Sequence, residues 1–235
     1  VRALIRGVVF DLDNTLNDFM RMKEASVDMA IEAMQDAGLI MDSEEAKTAI
    51  YSIYDRQGIE YQKVFNHFLE EHLGKVDYKI LAAGIVGYRR AREASLVLYP
   101  RVMDTLNRLL RRGLKLAVVS DAPVLEAWLR LCNLGLQHTF EAVITFNDTQ
   151  RRKPDPAPFQ AALDQLGLAP KETIMVGDWA ERDIVGAAKL GMITAFARYG
   201  DTFNTKTSGA DYELNDISDL VGLIDELNQE PATRS

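Results

Sequence analysis

The stretch "GVVFDLDNTLND", Gly7 to Asp18, decides the fold. Val8, Val9 and Phe10, with Leu12 one step on, form the near-continuous apolar run that a parallel strand shows when helices cover both of its faces. That run ends directly in Asp11 and Asp13. A carboxylate at the mouth of a buried strand costs free energy unless it is paired. A cation together with an anionic substrate would pair it, and the rest of the chain is the place to look for the groups that hold them.

Working outward, short β-branched runs recur at "LKLAVVSD" (Leu114 to Asp121), "EAVITF" (Glu141 to Phe146), "TIMVGD" (Thr173 to Asp178) and "MITAFARYG" (Met192 to Gly200), with "ADYELND" (Ala210 to Asp216) as a shorter last candidate. Amphipathic stretches lie between the later ones, at Met103 to Arg112, Val124 to Leu134, Ala157 to Leu166 and Glu181 to Leu190. Gly113, Gly135, Gly167 and Gly191 follow them as helix stops. This punctuation predicts an α/β fold, a mainly parallel sheet layered between helices. The alternation is missing from Leu16 to Ser95, where Ala, Glu, Met, Lys and Tyr dominate and proline is absent. Helical patterns at Arg21 to Ala37, Ser43 to Tyr54 and Tyr61 to Glu71 make that segment a helical insert after the first strand.

Composition narrows the function classes. A chain of 235 residues with 47% hydrophobic residues has room for one large core, or for one domain carrying a smaller insert. Its net charge of -8 argues against a nucleic-acid surface, which needs a basic stripe. The arginines at 108, 111 and 112, and at 89, 90 and 92, read as solvated helix faces. Ile80 to Val86 is among the longest strongly apolar runs and is far short of the ~20 residues that cross a bilayer. "VRALIRGVV" lacks the pattern of a signal peptide, so no membrane partner and a cytoplasmic location are expected. A single cysteine, Cys132, precludes an intramolecular disulfide and a sulfur-based metal site, and within "WLRLCNLGL" it reads as core filling. His67 and His72, five apart, do not share a helix face and read as surface or core residues. The tail "NQEPATRS" reads as frayed. Monomer and homodimer both stay open.

Polar residues collect where the strands end. The first run ends in Asp11 and Asp13, the second in Ser120 and Asp121; the third leads through "NDTQRRKPDP" to Lys153, and the fourth ends in Gly177 and Asp178 with Asp183 five residues on. Each has an ordinary structural explanation: an Asx turn at Asp13, a helix cap at Asp121, a surface cation at Lys153, an acidic first helical turn at Asp183. Four such groups in this order at strand ends point instead to one site, because open parallel sheets bind ligands beyond the carboxyl ends of their strands.

These four segments resemble the motifs of the haloacid dehalogenase superfamily, in its phosphatase branch. "DLDNTL" is similar to the first motif, DxDxT; "VVSD" to the second, a Ser or Thr closing a strand; "RKPDP" to the third, the lysine; and "VGDWAERD" to the fourth, GDxxxxD. The resemblance runs from Arg6 to Leu16 and from Pro100 to Ala210. It implies a Rossmann-like three-layer core over residues 1–16 and 96–235, with residues 17–95 as a helical cap domain of the family's first type. It further implies hydrolysis of a small-molecule phosphomonoester, with Asp11 as nucleophile and Asp13 giving and later taking the proton. Mg²⁺ would be held by the side chains of Asp11 and Asp178 and the backbone carbonyl of Asp13. Ser120, Asp121 and Lys153 would surround the phosphate, Thr15 would pin the loop after the nucleophile, and Asp183 would hold metal-bound water or orient Lys153. A phosphomutase shares this core and stays an alternative. A haloacid dehalogenase has little use for Asp13, and a non-catalytic binding protein would be expected to lose one of Asp11, Asp13, Lys153 or Asp178.

Two departures from the pattern bear on substrate: Asp121 stands where many relatives have Asn, and Trp179 where a small hydroxyl residue is common. In the insert, Arg56, Gln57, Tyr61 and Arg89 are the candidates for leaving-group contacts, and hinges are expected at Leu16 to Asp18 and Ser95 to Pro100.

Overall fold

The computed structural model describes residues 3–229 and divides into two compact units, one of residues up to Asp18 and from Val97 onward, the other Phe19–Leu96. The first strand, β1 (Gly7–Phe10), is fully buried and runs into the helical unit: α1 (Phe19–Asp36), α2 (Ser43–Gln57), α3 (Val64–Leu73) and α4 (Tyr78–Ser95). The chain then returns through α5 (Val102–Arg111), β2 (Lys115–Val119), α6 (Val124–Asn133), β3 (Ala142–Ile144), the single turn α7 (Phe146–Thr149), α8 (Pro156–Leu166) and β4 (Thr173–Gly177). A π-helical turn (Ala180–Ile184) precedes α9 (Val185–Leu190), and β5 (Ile193–Ala197), β6 (Tyr212–Leu214) and α10 (Asp219–Asn228) complete the order.

All six strands pair in parallel, in the order β3-β2-β1-β4-β5-β6. Side chains alternate between faces along a strand. Val8 and Phe10 therefore pack with α5, α6 and α10 through Leu106, Leu131 and Ile224, whereas Val9 packs with α8 and α9 through Phe159, Leu163 and Ala187. The result is a three-layer core. The chain order reverses at β1, which lies between β2 and β4, and a switch point of this kind opens a crevice at the carboxyl ends of the strands. The four expected glycine stops at 113, 135, 167 and 191 all adopt positive φ, which a side chain would strain.

The helical unit has its own core, with Val27, Ile31 and Met34 of α1, Ile50 and Ile53 of α2, Phe68 and Leu69 of α3, and Ile80 and Leu81 of α4. Asp42 and Asp77 cap the amino ends of α2 and α4 by accepting from the backbone two and three residues on. The apolar run at Ile80 belongs to α4, a helix that the sequence patterns had not separated out. At the boundary, Asn17 bridges antiparallel to Leu98, Asp18 N–H donates to Val97 O (3.1 Å), and Tyr99 N–H donates to Leu16 O (3.0 Å).

Two expectations need adjustment. Cys132 is exposed, not core filling, because α6 turns Ala127, Arg130 and Leu131 inward and leaves its other face to solvent. Of the tail, Asn228 is anchored, exchanging hydrogen bonds with Ile5 N–H and O, while residues from 230 lie outside the described residues. No helix among the described residues is long and apolar enough to cross a membrane.

Candidate active site

The register of β1 against β4 pairs Phe10 with Val176, and Asp11 N–H continues the ladder by donating to Val176 O (2.9 Å). Asp11 and Asp178 therefore emerge side by side where the two strands end. Asp183 returns from the π-helical turn, and its Oδ2 accepts from Trp179 N–H (3.0 Å). This return passes directly over Gly177, where an added Cβ would meet Asp183 Cγ at 2.4 Å, so only glycine fits. Asp11, Asp178 and Asp183 are all buried, and each offers a carboxylate oxygen lying within 4.8 Å of the others.

Lys153 arrives from the loop after α7 and is itself buried. Its ammonium donates to Asp11 Oδ1 (2.5 Å) and Val119 O (3.2 Å), and it pairs with Asp183 Oδ1 (2.7 Å). Asp121 holds the backbone of that lysine, its Oδ1 accepting from Lys153 N–H (2.9 Å), while its Oδ2 pairs with Arg182 (3.1 Å). Asp121 thus does not cap α6; the residue before that helix is Pro123, and Asn147 Oδ1 accepts from Val124 N–H (3.0 Å). Ser120 is buried at the end of β2, its hydroxyl accepting from Ala122 N–H (3.2 Å).

Three buried carboxylates against one ammonium leave an excess of negative charge. Burial pushes Asp183 up to about 6 in spite of Lys153. Asp178 is pushed well above the usual carboxylate range, by burial first and then by Asp11 and Asp183. Asp11 is raised as well, burial outweighing the attraction of Lys153. Burial works against the charge of Lys153, yet Asp11, Asp183 and Asp121 together hold its ammonium above the ordinary lysine value. A cation placed among these oxygens would offset the excess. An all-oxygen set suits a hard divalent ion and offers none of the nitrogen or sulfur that softer metals prefer.

The loop after Asp11 is tightly fixed. Asn14 takes a left-handed backbone (φ 57°). Thr15, fully buried, donates its hydroxyl to Asp178 Oδ1 (3.2 Å) and accepts at its carbonyl from Tyr199 O–H (2.8 Å). Gly200 sits so close to this loop that an added Cβ would lie 1.6 Å from Asn14 O. Asp13 is held on both sides: its Oδ2 accepts from Arg130 Nη1 (2.9 Å) and its Oδ1 from Asn17 Nδ2 (3.2 Å).

The structure thus brings Asp11, Asp178, Asp183 and Lys153 into direct contact or close proximity, with Thr15 and Asp121 bound to members of that group. Arg130 was missed in the sequence, although an arginine three residues after Ala127 and next to Leu131, on the one stripe of α6 that faces the core, marks a buried cation in need of a partner. At the outer edge, Trp179 stacks on Phe203 (4.4 Å) and carries the Arg182 guanidinium over its ring (3.8 Å). In the helical unit Arg56, Gln57 and Arg89 are exposed, with Arg56 paired to Glu71 (2.8 Å), and Tyr61 lies beside His67.

The family model of the haloacid dehalogenase-like hydrolases matches residues 5–191. The chain belongs to the haloacid dehalogenase-like hydrolases. Within them it is a phosphatase, a phosphoric monoester hydrolase. It is 36% identical over 230 residues to the glyceraldehyde 3-phosphate phosphatase of Methanocaldococcus jannaschii, a match covering 97% of this chain and 100% of that one. It is 31% identical over 251 aligned positions to the phosphoglycolate phosphatase of Escherichia coli O157:H7, covering 96% of each. Among solved structures, a HAD phosphatase from Thermococcus onnurineus is similar with a TM-score of 0.69 at 25% identity, covering 94% of this chain and 98% of that one. A putative beta-phosphoglucomutase from Thermotoga maritima shares the fold, with a TM-score of 0.75 at 20% identity and coverage of 94% and 99%.

Proposed function

We propose that this haloacid dehalogenase-like phosphatase is a Mg²⁺-dependent hydrolase that takes a small phosphomonoester through a phospho-aspartate on Asp11. The observation that carries the reading is the buried cluster of Asp11, Asp178 and Asp183 around the Lys153 ammonium at the carboxyl ends of β1 and β4. Asp11 attacks the phosphorus in line, its P–O bond forming as the bond to the ester oxygen breaks. Asp13 gives a proton to the departing oxygen, so that an alcohol leaves, and then takes one from the water that attacks the phospho-aspartate. Lys153 neutralises phosphoryl oxygens, and its contacts with Asp11 and Asp183 fix where that charge sits. Ser120 lends its hydroxyl to the phosphate, while Asp121 and Thr15 hold Lys153 and Asp178 in place. Asp11, Asp178 and the backbone carbonyl of Asp13 would hold Mg²⁺, with Asp183 close by, and the ion when bound offsets the repulsion between carboxylates and a phosphate dianion.

The hinges of the helical unit are expected at Leu16 to Asp18 and Ser95 to Pro100. The names of the relatives point to a two- or three-carbon phosphorylated acid or aldehyde as the substrate class. The test is turnover of p-nitrophenyl phosphate, 2-phosphoglycolate and glyceraldehyde 3-phosphate, each with Mg²⁺ and with chelator, beside Asp11→Asn. Turnover of a two- or three-carbon ester that needs the metal and vanishes in the variant is expected. Undiminished activity in Asp11→Asn would overturn the mechanism.

A further inference from the structure

Arg130 is a buried guanidinium that pairs with Asp13, 117 residues away in the chain and the group read above as the proton carrier. Its side chain is 6% exposed and that of Asp13 21%, so neither end of the pair is solvated like a surface ion pair. The position belongs to the inward stripe of α6, between Ala127 and Leu131, where an apolar side chain would pack without desolvating a charge. Replacing a buried ion pair by apolar groups is often neutral or stabilising, so stability alone gives no reason for an arginine there. Orientation does, because the guanidinium Nη1 on Oδ2 and the Asn17 amide on Oδ1 hold the two ends of the Asp13 carboxyl.

We propose that Arg130 is a positioning residue for Asp13, setting the rotamer from which that carboxyl acts. This rests on the reading of Asp13 as general acid and base. Both of its oxygens meet groups that only donate, Oδ2 the guanidinium of Arg130 (2.9 Å) and Oδ1 the amide Nδ2 of Asn17 (3.2 Å), and Asn17 is itself tied down by donating to Leu12 O (2.9 Å). Two such contacts hold the carboxyl in one orientation. In the first half of the reaction a proton passes from Asp13 to the ester oxygen as the P–O bond breaks and the phosphoryl group goes to Asp11. In the second half water attacks the phosphorus as the bond to Asp11 breaks, and its proton returns to Asp13.

The test compares kcat/KM on two esters of similar shape, p-nitrophenyl phosphate, whose leaving group needs little protonation, and phenyl phosphate, whose leaving group needs more. Arg130→Met, Arg130→Lys and Asp13→Asn are measured beside the wild type, with thermal melts to verify folding. Arg130→Met is expected to lose at least about tenfold more on phenyl phosphate than on p-nitrophenyl phosphate, in the direction of Asp13→Asn, since acid catalysis supplies roughly 10²–10⁴-fold. Arg130→Lys keeps the charge without the fork and is expected to show a smaller discrimination of the same sign, which carries the test if the Met variant does not fold. Equal losses on both esters in the Arg130 variants, with Asp13→Asn still discriminating, would overturn the role of Arg130. Absence of discrimination in Asp13→Asn itself would overturn the acid–base reading beneath it.

Discussion

Gly200→Ala isolates the effect of moving the loop that follows Asp11. Gly200 closes a 3₁₀ turn (Arg198–Gly200) outside the left-handed region, so alanine fits its backbone and only the new methyl matters. That methyl would lie 1.6 Å from Asn14 O, and the nearest tolerable approach is about 3.0 Å, so one backbone must yield by about 1.4 Å. Neither side is free to do so. Asn14 is flanked by Asp13, which is bound to Arg130, and by Thr15, which is bound to Asp178 and Tyr199; Gly200 follows Tyr199 directly. Overpacking of this kind costs about 1–3 kcal/mol, which for a chain of this size lowers Tm by roughly 2–12 °C. A misplacement near 1 Å can cost about 10²-fold in rate, and kcat on p-nitrophenyl phosphate is expected to fall by about that factor. Gly113→Ala is the control: its φ is +75° with open space around the added Cβ, so about 1 kcal/mol of stability is lost and kcat is retained. Wild-type kcat and Tm in Gly200→Ala would refute the reasoning.

The raised carboxyl of Asp183 makes stability depend on pH. Its folded value, about 6, lies above the ~3.9 of an unfolded chain, so the folded state binds more protons and this group's contribution falls as pH rises from about 4 to 6. In chelator, Asp183→Asn is therefore expected to gain up to ~3 kcal/mol on the wild type between pH 4 and pH 7 in denaturant titrations, and a constant difference would contradict it. Mg²⁺ is expected to raise Tm, by the equivalent of about 2.7 kcal/mol at a hundredfold excess over its Kd, and Asp178→Asn to abolish that rise in scanning calorimetry. Exposed Cys132 is expected to react fully with a thiol reagent in the native protein, without denaturant.

The parallel sheet was legible because its signals are local: an apolar run such as Val8 to Phe10 and a glycine such as Gly113 each state their own conformation. The acidic and cationic residues at strand ends were legible as a group because topology sends all strand ends to one edge. Contacts within that group were not, since nothing in the spacing of Asp183 foretold a π-helical turn or its approach over Gly177. Arg130 was hidden for the opposite reason. Its neighbours Leu129 and Leu131 gave α6 an apolar average, while the charge that explains it lies 117 residues away. Cys132 misled in the same way, since an apolar stretch does not say which of its sides is inside.

The paired segments at Asn17 and Leu98 bear on how such a chain diversifies. Two hydrogen-bonded strands lie about 5 Å apart, so the entry and exit of the helical unit form a doorway no wider than a tight turn. Any segment whose own ends meet at that spacing can be grafted there without disturbing the register of β1. Recombination at this one locus would exchange the helical unit and leave the acidic cluster at the strand ends unaltered, and the same two residues mark where an engineer would cut.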